Sequence, residues 1–127
     1  MTSVREVMST GLVEVEPTVS VTEAAAVMST GRAGSALVVD AGTLVGIFTE
    51  RDIMRAMAEH SSADAARVSF VAQWMTRYPA TIEPGATIGE ALDRMLAGGF
   101  RHLPVMEGGE IVGVVSMRDL AQALGKR

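Results

Sequence analysis

Apolar and polar positions alternate in blocks that predict the same succession of elements twice along the chain. Ser20-x-x-Glu23 and Thr87-x-x-Glu90 have the form of a helix capping box. Behind the second, Ile88, Ala91, Leu92, Met95 and Leu96 follow the i, i+3, i+4, i+7, i+8 spacing of one buried helical face. Val21, Ala24, Ala25 and Met28 do the same behind the first, and Gly31 and Gly98 are expected to end these helices. Ahead of each helix, Glu16-Pro17 and Glu83-Pro84 close a brief strand, Val13–Val15 or Ala80–Ile82, because proline has no N–H to donate. A short helical turn, Ser3–Met8 or Val71–Met75, opens each block.

Two nearly continuous apolar strands follow each helix: Ala36–Val39 with Leu44–Phe48, and Leu103–Met106 with Ile111–Val115. Glycine-bearing turns between them predict hairpins, and the lack of polar alternation predicts that both faces are covered. A last helix begins after Thr49 or Ser116 and runs to about Ala58 or Leu124. Residues Glu59–Val68, rich in Ser, Ala and Asp, read as a connector with some helix.

The two blocks are one unit written twice. A shift of 67 positions lays Val4–Ala56 on Val71–Ala123 without a gap, and 15 of the 53 pairs are identical, where composition alone gives about one in twenty. The expected organisation is a first repeat over residues 1–58, a connector over 59–68 and a second repeat over 69–127. A unit of about 55 residues is marginal alone, so the α/β (α+β) fold is expected to pack two pseudo-symmetric β-α-β-β-α halves sheet to sheet in one globule.

Composition narrows the function. A net charge of −4 argues against a nucleic-acid binder. No apolar run approaches the roughly 20 residues of a membrane span, and the first residues lack a signal-peptide stretch. With no cysteine there is no disulfide or thiolate chemistry, which is compatible with a cytoplasmic location. At 4% aromatic residues, the core must be built from Val, Leu, Ile, Met and Ala, with the nine methionines filling gaps. His60 reads as a solvated loop residue and Trp74 as a packing or subunit-contact residue. Two histidines without close ligand spacing do not make a metal site, and no carboxylate stands beside a nucleophile, so no enzyme is expected.

The candidate chemistry sits where the last strand of each unit meets the last helix. Gly46-Ile-Phe-Thr49-Glu-Arg-Asp52 and Gly113-Val-Val-Ser116-Met-Arg-Asp119 share a glycine, two apolar residues, a hydroxyl and an aspartate at one register. A helix N-terminus offers unpaired N–H groups and the positive end of a dipole, suited to phosphate. The hydroxyl of Thr49 or Ser116 can add a hydrogen bond, and an ionised Asp52 or Asp119 can accept from a ribose diol. The same spacing fits an N-terminal helix cap. The two roles are compatible and both stay open here.

With these motifs, and Arg101-His102-Leu103-Pro104-Val105 opening a strand, nearly the whole chain resembles the CBS-domain family, and the tandem resembles a Bateman module. The resemblance implies a regulatory, ligand-sensing pair with clefts between its repeats and no required cofactor. The implied effector is an adenosyl ligand: AMP, ADP, ATP or S-adenosylmethionine. Ile47, Val114, Val38 and Val105 would then flank the purine, backbone near Leu12–Val13 and Pro79–Ala80 would read its edge, and Pro104 would join the ligand-binding residues. Arg101 and His102 would meet phosphate. Their counterparts are Gly34 and Ser35, so the site served by Arg101 and His102 is expected to hold phosphorylated ligands better. Arg51 and Arg118 either reach phosphate or stay solvated. A homodimer and an unidentified effector protein are the expected partners, with no nucleic acid and no membrane. A dimerisation or interaction module with no physiological nucleotide is the alternative.

Overall fold

The computed structural model describes residues 1–125, so positions 126 and 127, which end the predicted second repeat, lie outside the described residues. The chain divides into two compact units that cut across the sequence repeats. One is Val13–Pro79. The other joins Met1–Leu12 to the chain from Ala80 onward and is called the composite unit below. The opening segment of each sequence repeat therefore belongs spatially with the body of the other.

In the Val13–Pro79 unit, β1 (Glu14–Val15) runs parallel to β2 (Ser35–Asp40), which forms an antiparallel hairpin with β3 (Thr43–Thr49). The two-residue strand β4 (Thr76–Arg77) pairs antiparallel with β3 through Gly46 and Ile47, completing the order β1-β2-β3-β4. Helix α2 (Val21–Thr30) starts where Ser20 Oγ accepts the Glu23 N–H at 3.0 Å, and Gly31 caps its end. Its Val21, Ala24 and Met28 are buried against Ala36, Val38 and Phe48. Helix α3 (Glu50–Glu59) follows β3 directly, and the connector contains α4 (Ala63–Val68), capped by Ser62.

The composite unit repeats the plan with fewer regular strands. Helix α1 (Val4–Val7) stands at the start of the chain, and α5 (Ile88–Gly98), β5 (His102–Glu107), β6 (Glu110–Ser116) and α6 (Met117–Gly125) form its body. Ser9 and Val114 exchange both backbone hydrogen bonds, at 2.8 and 3.0 Å, so the start of the chain supplies the edge that β4 supplies in the other unit. Val4, Leu103, Val105, Val115, Met95 and Leu120 are buried together.

Four local expectations need correction. The predicted strand Ala80–Ile82 reduces to a single parallel bridge between Ile82 and Val105. The opening turn of the second repeat is a 3-10 turn, Val71–Gln73, rather than α-helix. Gly98 lies inside α5, and the helix ends at Gly99, whose left-handed φ of 71° suits a residue without a side chain. Leu96 is 65% exposed although it fits the apolar spacing: Ala91 and Met95 are buried in the core and Ile88 and Leu92 are partly buried against it, and the stripe stops before Leu96. The hairpins are as predicted, with two-residue loops at Ala41-Gly42 (φ 51° and 81°) and Gly108-Gly109 (φ 59° and 82°). Positive φ at both central positions matches the twist of the flanking strands.

Candidate functional site

In the composite unit the last residue of β6 and the first turn of α6 form a reciprocal cap. Ser116 N–H donates to Asp119 Oδ2 at 2.8 Å, and Asp119 N–H donates to Ser116 Oγ at 3.1 Å. The cap fixes the aspartate beside the helix N-terminus with Oδ1 taking no further partner among the described residues. The hairpin register then sets a basic pair alongside. His102 is the cross-strand partner of Ser116, and Arg101 C=O accepts the Met117 N–H at 2.8 Å. Arg101 is exposed and His102 half-buried, while Arg118 is exposed on the first turn of α6. The backbone thus brings Arg101, His102, Ser116, Asp119 and the N-terminus of α6 to one corner.

The other predicted members lie further along the same sheet. Val114, half-buried, pairs with Pro104. Pro104 is fully buried, and its carbonyl accepts the Ile82 N–H at 3.0 Å. Ala80 is exposed two residues before that bridge.

The Val13–Pro79 unit builds an equivalent corner from different side chains. Ser35 is paired with Thr49, and Gly34 C=O accepts the Glu50 N–H at 3.1 Å. Thr49 donates to Asp52 Oδ2 from its backbone N–H at 2.9 Å and from its hydroxyl at 3.2 Å. No basic residue occupies the positions matching Arg101 and His102. Ile47 is buried in the sheet, Val13 is half-buried, and its carbonyl accepts the Leu37 N–H at 2.8 Å. Arg51 is exposed.

Here the structure adds residues that the motif did not single out. Arg55 donates to Asp52 Oδ1 at 3.1 Å and to the Trp74 carbonyl at 3.3 Å, with its guanidinium carbon 5.9 Å from the centroid of the Trp74 ring. His60, expected to be a solvated loop residue, is half-buried with its ring 5.6 Å from that of Trp74. Trp74 also donates from Nε1 to Ser69 Oγ at 3.0 Å. The available signal was the Asp-x-x-Arg spacing of 52 and 55, which places both on one helical face.

A cavity of about 510 Å3 opens at the far end of the composite unit's hairpin, lined by Thr81, Glu83, Glu90, Arg94, Met106 and Gly108, among others. It contains none of the predicted site residues. The length of β5, about 17 Å at the usual rise per residue, separates its turn end from the Ser116–Asp119 corner. Among the described residues no cluster of His, Asp or Glu could hold a metal ion, and no helix is long and apolar enough to cross a membrane.

A duplicated strand–helix unit with a hydroxyl–aspartate cap at each corner defines a class of tandem α/β domain. The CBS domain profile matches residues 4–59 and again 71–126, and the chain belongs to the CBS-domain family as a tandem pair. CBS-domain proteins are generally regulatory rather than catalytic. The chain is 40% identical over 125 residues to an uncharacterized 17.7 kDa protein of Acidianus ambivalens, covering 97% of this chain and 73% of that one. The crystal structure of the CBS-domain containing protein ATU1752 from Agrobacterium tumefaciens superposes with a TM-score of 0.88 at 33% identity, over 97% of this chain and 93% of that one. The CBS domain pair of protein MJ0100, solved in complex with 5′-methylthioadenosine and S-adenosyl-L-methionine, gives 0.87 at 24% identity, over 98% and 97%. That last likeness is one of fold.

Proposed function

We propose that this chain is a cytoplasmic ligand-sensing module that binds an adenosyl ligand, with AMP, ADP, ATP and S-adenosylmethionine as the candidates. One observation carries the reading: the β5–β6 register pairs His102 with Ser116, and the Arg101 carbonyl accepts the Met117 N–H in the turn of α6 that carries the capped Asp119. An anionic group matches the N-terminus and the guanidinium. A sugar diol matches the Asp119 oxygen left open by the cap. The binding of adenosyl compounds by the MJ0100 pair, a structural neighbour, supports the ligand class.

The module would act as a homodimer or on a separate effector protein, by favouring one of two conformations to which the ligand binds unequally. Met54 and Met57, 72% and 44% exposed on one side of α3, support a subunit or partner contact. Calorimetric titration of the four candidates, repeated on Ser116→Ala and Asp119→Ala, tests the reading. Saturable binding of one ligand, weakened by both substitutions, is expected. Absence of binding by ligand-free wild-type protein would refute it and leave the interaction-module alternative.

A further inference from the structure

The two aspartates of the repeated motif are not equally available to a ligand. Asp52 has a side chain only 6% exposed, and both of its oxygens are taken by the chain itself. Oδ2 accepts twice from Thr49, and Oδ1 accepts from Arg55. Arg55 is held in turn by the Trp74 carbonyl, by the face of the Trp74 ring and by Glu59, 3.6 Å from its Nε. Asp119 accepts only the Ser116 N–H, at Oδ2, among the described residues. Sixty-seven residues on from Arg55 stands Gln122, and the counterpart of Trp74 is Val7. At these matching positions the composite unit therefore carries neither a cation nor an aromatic ring.

A ribose diol brings two hydroxyl donors and needs open acceptor positions. The two bonds from Thr49 and the one from Arg55 fill three of the about four lone-pair sites of the Asp52 carboxylate, so it cannot accept both hydroxyls of a diol without breaking a charge-assisted hydrogen bond, one of the stronger kinds. Desolvation strengthens that bond here, because Asp52 lies almost wholly out of water.

We infer that Arg55 is a specificity-determining positioning residue: with Trp74 it closes the Asp52 corner to ribose, so the chain takes one adenosyl ligand, at Asp119. This rests on the function proposed above and adds the occupancy of its two corners. Gln fills the matching position, so R55Q gives the Asp52 corner the composite unit's own residue; it also removes the Arg55 bond to the buried Asp52, so folding of the variant is checked first.

The test is calorimetric titration with AMP, in the full chain, of wild type, R55Q, R55K, D52A and D119A. Thermal unfolding checks that each variant is folded. Wild type is expected to bind one AMP per chain, D119A to lose at least tenfold in affinity, and D52A to stay within about threefold of wild type. R55Q is expected to gain a second event, reported by the fluorescence of Trp74, the single tryptophan. R55K keeps a cation and stays at one. Two AMP per chain in wild type, equal losses in D52A and D119A, or a stoichiometry of one in folded R55Q would overturn this inference alone. No binding of AMP or the other adenosyl candidates by any variant would overturn the proposed function as well.

Discussion

The sulfur of Met8 lies directly over the bare Cα of Gly113: a Cβ built on that glycine would sit 2.6 Å from the sulfur and 3.0 Å from the Ser9 carbonyl oxygen. Met75 and Gly46 repeat the relationship, at 2.5 Å from the sulfur and 3.0 Å from the Thr76 oxygen. The glycine that begins each motif thus has a packing role, admitting the edge segment that arrives from the opening of the other sequence repeat. Gly113→Ala is expected to cost about 1–3 kcal/mol, the usual range for overpacking a filled site. Shortening the flexible side chain in the double variant Met8→Ala/Gly113→Ala should recover part of that loss. Urea denaturation of the four proteins checks both signs, and an additive double variant would show that the sulfur is not the obstacle.

The exchange of edge segments makes a second prediction. A fragment of residues 13–79 contains every strand of its sheet, including β4, whereas a fragment of residues 1–58 lacks β4, Val71 and Trp74. The first is expected to show cooperative thermal unfolding by circular dichroism, and the second a broad, non-cooperative loss of signal. Equal behaviour would mean that the edge segment adds little to the unit it completes.

Ala41 adopts φ 51° in a hairpin loop whose counterpart in the composite unit is Gly108, at φ 59°. An L-residue with a Cβ pays about 1–2 kcal/mol in that region, and glycine gives back part of the gain through its freer unfolded chain. Ala41→Gly should therefore stabilise the protein by about 0.5–1 kcal/mol, and Gly108→Ala should destabilise it by a similar amount. Opposite shifts in the melting temperatures of the two variants would confirm the assignment.

Much of this fold was legible because its signals are local. Ser20 and Thr87 announced two helix starts, proline and glycine marked the ends of the strand blocks, and the 67-residue shift revealed the duplication. The exchange of Met8 and Met75 was not legible, since a pairing of Ser9 with Val114 leaves no periodic trace at either place. Leu96 misled because spacing reports which residues share a helical face but not how far along that face the sheet extends. At the candidate site the motif located both corners and the Gly34-Ser35 against Arg101-His102 difference. It did not reveal that Asp52 is clamped, because the clamp joins Arg55 to a tryptophan 19 residues away through a backbone carbonyl.

That difference in basic residues makes the last prediction. The two corners have the same backbone: a cross-strand pair at 35/49 or 102/116 and an N–H donated to the carbonyl of residue 34 or 101. The double variant Arg101→Gly/His102→Ser gives the composite unit the side chains of the other corner on that shared frame. If the guanidinium and imidazole meet phosphate, AMP affinity should fall by about 10- to 100-fold, the usual value of one charged hydrogen bond. Adenosine, which has the same ribose for Asp119 but no phosphate, should lose less than threefold. The AMP affinity of wild type should also decline as salt is raised, and that dependence should flatten in the variant. Parallel titrations of AMP and adenosine at two salt concentrations separate this from general damage, which would weaken both ligands alike and leave the salt dependence in place.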